Sequence, residues 1–231
     1  MKKYKHIFFD LDNTLWDFER NSTETLNELY HTHQLKDLGV TSSDIFIKTY
    51  QERNAMMWEQ YRLGKIDKET LRNKRFAFTF WDLGLDADLA PDALADDYIR
   101  ISPKKNYLFP HAHEALTYLR GKYSLHIITN GFQEAQYIKL DSAGLSKYFV
   151  EVIISEHTGF KKPDVNIFYH SLEKANASAQ ECLMVGDGLE VDVIGAMNAG
   201  WDAVYFNPNK IMHNEKVPYE ISSLDELKNF L

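Results

Sequence analysis

Five short apolar runs, separated by amphipathic segments, constrain the fold of this chain more than any other feature. Each run is too short for a helix, and several are rich in valine, isoleucine and phenylalanine, which is typical of buried strands. The predicted strands are residues 6–9, 125–129, 152–155, 182–185 and 203–206. The predicted helices between the later strands are residues 113–122, 133–143, 165–175 and 191–198. This alternation predicts an α/β fold, a doubly wound parallel sheet with right-handed crossovers.

The long segment between the first two predicted strands contains only helical patterns. Leu26, Leu29 and Tyr30 follow helical spacing, and Asn21 and Glu24 are placed as a capping box at the start of that helix. Asp67 is placed to cap a later helix of the same segment. We therefore expect an all-helical domain, residues 16–105, inserted into an α/β core domain made of residues 1–15 and 106–231.

The charge and the hydropathy pattern exclude several classes of partner. The 231 residues carry a formal net charge of −8, which disfavours binding to nucleic acid or to an anionic membrane, so an anionic substrate would need a local cation. No apolar run approaches the roughly 20 residues of a membrane span, and acidic residues come too early for a signal-peptide core. Cys182 has no partner for a disulfide. We expect a cytoplasmic monomer or homodimer that acts on a small molecule.

Polar side chains follow the predicted strands, at the edge where open α/β sheets bind their ligands. They are Asp10, Asp12 and Thr14 after the first strand, Thr129 and Asn130 after the second, Lys161 and Lys162 after the third, and Asp187 and Asp192 after the fourth. Carboxylates about 4 Å apart repel by roughly 1 kcal/mol in water and about 4 kcal/mol at an effective dielectric constant near 20, so this cluster needs a cation. Oxygen ligands without cysteine or histidine favour Mg²⁺.

A phosphate group would complete such a site. Its charge could be met by Lys162, by the Thr129 hydroxyl and by backbone N–H groups in the loops around Asn13 and Asn130. Asp10 is the candidate nucleophile, which would form an aspartyl phosphate, and Asp12 the candidate general acid and base. Because a free aspartate has a pKa near 3.9, the pKa of Asp12 would have to be raised by acidic neighbours.

Four segments, "FFDLDNT", "IITNG", "KKPD" and "VGDGLEVD", resemble in order and spacing the motifs of the haloacid dehalogenase-like hydrolase superfamily. The inserted helical domain is similar to the helical cap of that family. The resemblance implies that Asp10 is the nucleophile, that Asp12 is the acid and base, and that Thr129 and Lys162 bind phosphate within loops that include Asn130 and Gly131. It also implies Mg²⁺ held by the Asp10 side chain, the Asp12 backbone carbonyl and Asp187, with Asp192 in support. Gly188 departs from the family, where many relatives carry serine.

Within that family, Asp12 favours a phosphatase, because true dehalogenases lack this aspartate. The segments "DNTLWDF", "TNGFQEAQYIKLDSAGL" and "NAGWDAVYFNP" resemble the pyrimidine and noncanonical 5′-nucleotidase branch, which implies a nucleoside monophosphate as substrate. The alternatives are a phosphosugar or phosphoglycolate phosphatase and a β-phosphoglucomutase-like isomerase. A non-catalytic phosphate-binding protein is disfavoured, because every motif position keeps its reactive group.

Some residues keep two interpretations at this stage. Asp192 supports the metal or caps a helix, and Lys161 is the alternative to Lys162 as the phosphate ligand. Trp16 and Phe18 follow the catalytic loop, where they are candidates for substrate contact as well as for packing.

Overall fold

The computed structural model describes residues 4–231, which divide into two compact units. The core unit is the chain up to Phe18 together with Asn106–Leu231, and the helical unit is Glu19–Lys105. The predicted insertion began at residue 16, three residues before this boundary. Trp16 belongs to the core unit because its side chain, with no exposed surface, packs into that unit's hydrophobic cluster.

The core unit contains a six-stranded sheet in which all neighbouring strands are parallel. Its strands are β1 (His6–Phe9), β2 (Ser124–Thr129), β3 (Glu151–Ile154), β4 (Cys182–Gly186), β5 (Asp202–Phe206) and β6 (Tyr219–Ile221). Their spatial order is β3-β2-β1-β4-β5-β6. The sequence predicted the first five strands and missed β6, which has three residues and buries only Ile221.

Helices of the core unit pack on both faces of this sheet. The α-helices of residues 4–231, in both units, are α1 (Phe18–Thr32), α2 (Ser43–Arg62), α3 (Lys68–Asp82), α4 (Ala93–Ile101), α5 (Ala112–Arg120), α6 (Gln133–Ser142), α7 (Ser155–Thr158), α8 (Val165–Ala175) and α9 (Gly195–Asn198). Alternate strand residues enter different clusters: Ile7 and Phe9 pack with Leu116 of α5, whereas Phe8 packs with Phe168 of α8. The doubly wound α/β prediction is therefore confirmed.

One predicted helix has a different form. Residues 191–198 were predicted as a single amphipathic helix, but Leu189–Ile194 is a π-helix that leads into α9. Single π-helical turns are rare and are found mostly at functional sites. This segment carries Asp192.

The helical unit is built from α1 to α4 and short 3₁₀ turns, without a strand among its residues. Its core includes Leu26, Phe46, Tyr50 and Phe80. The predicted cap on α3 is confirmed, since the Asp67 side chain accepts a hydrogen bond from Thr70 N at 2.8 Å. The predicted capping box of α1 is wrong.

The helix α1 begins at Phe18, three residues before Asn21, so Asn21 lies inside the helix and is buried.

Among the nine α-helices of residues 4–231, none has the length and apolar character needed to cross a membrane.

Candidate active site

The register of the three central strands brings the predicted site residues to one edge of the sheet. Phe9 pairs with Ile127 of β2 on one side and with Val185 of β4 on the other. The next residue, Asp10, donates its backbone N–H to the Val185 carbonyl at 2.9 Å. Thr129 and Asp187 lie two residues beyond the paired positions, so the strand ends converge as the sequence indicated.

Three carboxylates form a compact cluster at this edge. Asp10, Asp187 and Asp192 each offer an oxygen, and these atoms lie within 4.8 Å of one another. The Lys162 Nζ lies 2.6 Å from Asp10 Oδ1 and 2.6 Å from Asp192 Oδ1. When all four groups are ionised, three negative charges and one positive charge leave a net charge of −2. The cluster therefore fits a hard divalent cation with oxygen ligands, such as Mg²⁺.

Crowding and burial shift the titration of these groups. Burial raises the pKa of Asp10 to about 7; Lys162 opposes this shift, and Asp192 and Asp12 add to it. Burial, followed by the charges of Asp10 and Asp192, raises the pKa of Asp187 well above its usual range. Burial alone would lower the pKa of Lys162, but the two contacting carboxylates raise it above its ordinary value. A bound divalent cation would favour the ionised form of these carboxylates.

Thr14 orients the carboxylate of Asp187. Its Oγ1 accepts a hydrogen bond from the Asp187 backbone N–H and donates one to Asp187 Oδ1, both at 3.0 Å. Sequence reasoning placed Thr14 at this edge without giving it a role. The signal was its spacing, since Asp10, Asp12 and Thr14 occupy alternate positions after β1.

Two glycines make room for Asp192, which is buried. Asp192 Oδ2 accepts a hydrogen bond from the Gly188 backbone N–H at 2.9 Å. A Cβ atom at Gly186 would lie 2.4 Å from that oxygen, and one at Gly188 would lie 2.9 Å from it. A serine at position 188 would therefore displace Asp192 in this chain. Asp192 therefore has two contacts: it pairs with Lys162 inside the site, and it accepts the Gly188 N–H within its own turn.

Asn130 fixes the main chain that carries Lys162. Its Oδ1 accepts a hydrogen bond from Lys162 N and its Nδ2 donates one to the Lys162 carbonyl, both at 2.9 Å. The sequence predicts that backbone N–H groups of this loop face a phosphate; the Asn130 side chain has the further role of holding the neighbouring loop. Lys162 is 1% exposed, whereas Lys161 is more exposed.

Two other predicted N–H donors are engaged within their own loops. Asn13 donates its backbone N–H to the Trp16 carbonyl at 2.8 Å, and Gly131 donates its N–H to Thr129 Oγ1 at 3.1 Å. The N–H of Asn13 itself closes the turn after β1, so any N–H that this loop presents to phosphate comes from another of its residues. Since Thr129 Oγ1 accepts in this contact, its hydroxyl hydrogen remains to donate to a ligand.

Asp12 has neighbours that sequence reasoning missed. Lys139 Nζ lies 2.6 Å from Asp12 Oδ1, and Gln136 Nε2 donates to Asp12 Oδ2 at 3.0 Å. Asp10 is the acidic neighbour that we expected, close enough for the charge of Asp12 to raise its pKa, but both oxygens of Asp12 also contact donors from α6. The signal available in the sequence was the i, i+3 spacing of Gln136 and Lys139.

The two aromatic candidates for substrate contact differ in their surroundings. Trp16 is fully buried and its ring lies 4.4 Å from Lys139 Nζ, so the prediction that it contacts substrate is corrected. Phe18 is partly exposed, with its ring 5.6 Å from the same Nζ. The burial of Trp16 follows from its place in the hydrophobic cluster of the core unit.

The fold and the site define a class of protein: an α/β protein with a carboxylate site for a divalent cation at the carboxyl edge of a parallel sheet. Residues 4–200 match the family described as haloacid dehalogenase-like hydrolase. The chain belongs to this family.

The similar proteins include one with a solved crystal structure and several with named activities. The structure of YfnB from Bacillus subtilis, in a form bound to magnesium, has a TM-score of 0.87 and 30% sequence identity over 99% of this chain and 98% of that one. Pyrimidine 5′-nucleotidase PynA from Streptococcus pneumoniae is 34% identical over 99% of this chain and 95% of its own length. Pyrimidine 5′-nucleotidase YjjG from Escherichia coli is 33% identical over 99% and 98%.

A relative with another substrate is glyceraldehyde 3-phosphate phosphatase from Pyrococcus furiosus, which is 31% identical over 100% of this chain and 94% of its own. Phosphatases of nucleotides and of a sugar phosphate are thus similar to this chain to nearly the same degree. Together with the aspartate cluster, these comparisons make the protein a phosphatase of the haloacid dehalogenase-like family.

Proposed function

We propose that the protein is a Mg²⁺-dependent nucleoside 5′-monophosphatase that works through an aspartyl phosphate. The observation that carries the chemistry is the cluster of Asp10, Asp187 and Asp192 around the buried Lys162. The nucleotide substrate is supported by the similarity to PynA and YjjG, which extends over nearly the whole length of all three chains.

In the first step, a carboxylate oxygen of Asp10 attacks the phosphorus atom of the ester. The new bond joins Asp10 to phosphorus, the bond to the leaving oxygen breaks, and Asp12 gives that oxygen a proton. Lys162 and the Thr129 hydroxyl bind the phosphate oxygens during this transfer. In the second step, Asp12 takes a proton from water, the water oxygen attacks phosphorus, and the carboxylate of Asp10 is released with inorganic phosphate.

Mg²⁺ would be held by the Asp10 side chain, the Asp12 backbone carbonyl and Asp187, with Asp192 in support. When bound, it supplies positive charge that reduces the repulsion between the carboxylates and the phosphate. Thr14 keeps the Asp187 carboxylate in one orientation for this purpose. The helical unit, Glu19–Lys105, is proposed to act as the cap that selects the substrate.

A phosphosugar phosphatase is the second candidate, because the glyceraldehyde 3-phosphate phosphatase is 31% identical to this chain. It would use the same core residues. A β-phosphoglucomutase-like isomerase would share them too, but its phosphoenzyme would have to transfer the phosphoryl group back to a sugar instead of to water.

A substrate panel tests the proposal. Pyrimidine and purine nucleoside monophosphates, phosphosugars, phosphoglycolate and pyrophosphate would be assayed for phosphate release with and without Mg²⁺, with Asp10→Asn as the inactive control. We expect the highest kcat/KM for pyrimidine nucleoside monophosphates and no turnover after chelation. If pyrimidine monophosphates show no advantage, the nucleotidase assignment fails and the phosphatase chemistry stands.

A further inference from the structure

Lys139 is a buried cation that the proposed chemistry does not use. The residue is 5% exposed and its Nζ lies 2.6 Å from Asp12 Oδ1. The ring centroids of Trp16 and Phe18 lie 4.4 and 5.6 Å from the same nitrogen, so two aromatic faces lie near the ammonium group in addition to Asp12. A lysine confined in this way cannot swing freely, and its charge is directed at one carboxylate.

Gln136 holds the other oxygen of the same carboxylate. Its Nε2 donates to Asp12 Oδ2 at 3.0 Å, and the residue is buried. Gln136 and Lys139 are three positions apart on α6, so both side chains leave the same face of that helix. With a donor on each oxygen, rotation of the Asp12 carboxyl group is blocked.

Gly131 leaves the space that the Gln136 side chain occupies when it contacts Asp12. A Cβ atom at position 131 would lie only 1.9 Å from Gln136 Nε2, so any larger residue would push the amide away from Asp12. The segment from Gly131 to Lys139 therefore contains the residue that makes space as well as the two donors that use it. These contacts lie within the core unit.

We propose that Lys139 and Gln136 are positioning residues that fix the carboxyl group of Asp12 for proton transfer to the leaving oxygen. This inference rests on the proposed phosphatase chemistry, but not on the identity of the nucleotide. Neither residue is a phosphate ligand in the proposed mechanism. Each acts through Asp12, so the loss of either one imitates a partial loss of Asp12.

The choice of leaving group separates this role from a purely structural one. An alkoxide that leaves from a nucleoside or sugar phosphate needs a proton from Asp12, whereas the p-nitrophenolate that leaves from p-nitrophenyl phosphate departs without one. A lysine that only stabilised α6 would affect both esters equally. A lysine that positions Asp12 would affect the alkyl ester selectively, and kcat/KM reports the step in which that proton moves.

The experiment compares kcat/KM for the best alkyl phosphate of the substrate panel and for p-nitrophenyl phosphate, in the presence of Mg²⁺. For Lys139→Met we expect at least about a tenfold loss with the alkyl ester and less than about a threefold loss with the aryl ester. Lys139→Arg keeps the charge and should recover part of the alkyl activity. Gln136→Met should show the same selectivity with a smaller loss. Lys174→Met, at an exposed position near the end of α8, is the matched control and should change neither value.

A double variant completes the test. If Lys139 acts through Asp12, then Asp12→Asn combined with Lys139→Met should be no slower on the alkyl ester than Asp12→Asn alone. Equal losses with both esters, or losses that multiply in the double variant, would overturn the inference. The activity with p-nitrophenyl phosphate also reports folding of each variant. A wild-type protein that hydrolyses neither ester would instead overturn the proposed phosphatase, and this inference with it.

Discussion

Lys162 in the core unit and Arg75 in the helical unit are both buried cations, 1% and 4% exposed, but their surroundings differ. Lys162 lies between two carboxylates, Asp10 and Asp192. Arg75 donates to Asn54 Oδ1 at 3.2 Å and lies 4.9 Å from the centre of the Tyr98 ring, and no carboxylate within residues 4–231 is within ion-pair distance of it.

This difference separates chemistry from packing. A buried lysine among three carboxylates is costly unless the surplus negative charge is matched, which is why the core unit is suited to a metal and a phosphate. A guanidinium that lies over aromatic rings and donates to one amide has no surplus negative charge around it to be matched. We therefore assign the reaction to the core unit, and variants in both units can test that assignment.

The largest effect is expected from the nucleophile. In the proposed mechanism Asp10→Asn removes the oxygen that would form the covalent bond, so hydrolysis of p-nitrophenyl phosphate should fall by at least about a thousandfold. Glu173→Gln, at an exposed position on α8, removes a negative charge of the core unit outside the site and should keep wild-type rates. Substantial turnover by Asp10→Asn would contradict the assignment of the nucleophile.

Lys162 and Arg75 give a matched pair of variants. Lys162→Met should reduce hydrolysis of p-nitrophenyl phosphate by about a hundredfold or more, because the phosphate would lose the positive charge that Lys162 supplies in the proposed mechanism. Arg75→Met should leave that rate within about threefold of wild type, because Arg75 contacts none of the proposed catalytic residues. Similar losses of activity in both variants would contradict the assignment of the reaction to the core unit.

Lys162→Met should also lose more stability than Arg75→Met. Without metal, Lys162→Met leaves the buried carboxylates of Asp10 and Asp192 without their cation, so the free energy of unfolding should fall by about 3 kcal/mol, and Mg²⁺ should restore part of it. Arg75→Met should change it by about 1 kcal/mol or less, because the lost hydrogen bond is offset by removal of a buried charge. Denaturant titrations with and without Mg²⁺ measure both values.

The raised pKa of Asp10 predicts how pH affects the metal-free protein. The folded-state value of about 7 exceeds the unfolded value near 3.9, so the native state holds the extra proton between them. The stability that this group contributes is present below about pH 4 and is lost as the pH rises through about 7. Wild type should therefore lose stability relative to Asp10→Asn over this interval.

The comparison with Asp10→Asn is needed because His126 acts in the opposite direction. Burial lowers the pKa of His126 to about 4, so its contribution is present above pH 6.5 and is lost as the pH falls through about 4. Both proteins keep His126, and its effect cancels in the difference. Mg²⁺ should abolish the difference in slope, whereas a constant difference across the interval would contradict the burial of Asp10.

The smallest effect is expected at the N-terminus of α3 in the helical unit. Asp67→Ala removes the cap on Thr70 N and should lower the free energy of unfolding by about 1 kcal/mol, without changing hydrolysis of p-nitrophenyl phosphate. Glu69→Ala, in the first turn but not at the cap, is the control. A catalytic defect in Asp67→Ala would show that the chemistry depends on the helical unit.

The sequence predicts the strand ends of the core unit better than it predicts contacts made by helices. The five predicted strands and the convergence of Asp10, Thr129 and Asp187 could be predicted, because strand ends in a parallel sheet share an edge and each side chain follows its apolar run. The partners of Asp12 could not be predicted. Gln136 and Lys139 are ordinary residues of an amphipathic helix until the sheet brings α6 beside the loop after β1.

The contacts of Arg75 were equally hidden. Asn54, Tyr98 and Arg75 come from three helices, and no period or spacing links them. The sequence predicts the start of the insertion at residue 16, because Trp16 directly follows the loop after β1. The structure places the boundary at Glu19, since Trp16 packs in the hydrophobic cluster of the core unit. The short strand β6 gave no apolar run to detect.

The most direct test of the account is detection of the phosphorylated enzyme. In the proposed mechanism Asp12→Asn should slow the attack of water on the intermediate. Acid quenching during turnover of p-nitrophenyl phosphate, followed by peptide mass spectrometry, should then find one phosphoryl group on Asp10. The modification should be absent in Asp10→Asn and after chelation of Mg²⁺. Turnover through a chain that is never phosphorylated at Asp10 would contradict the mechanism.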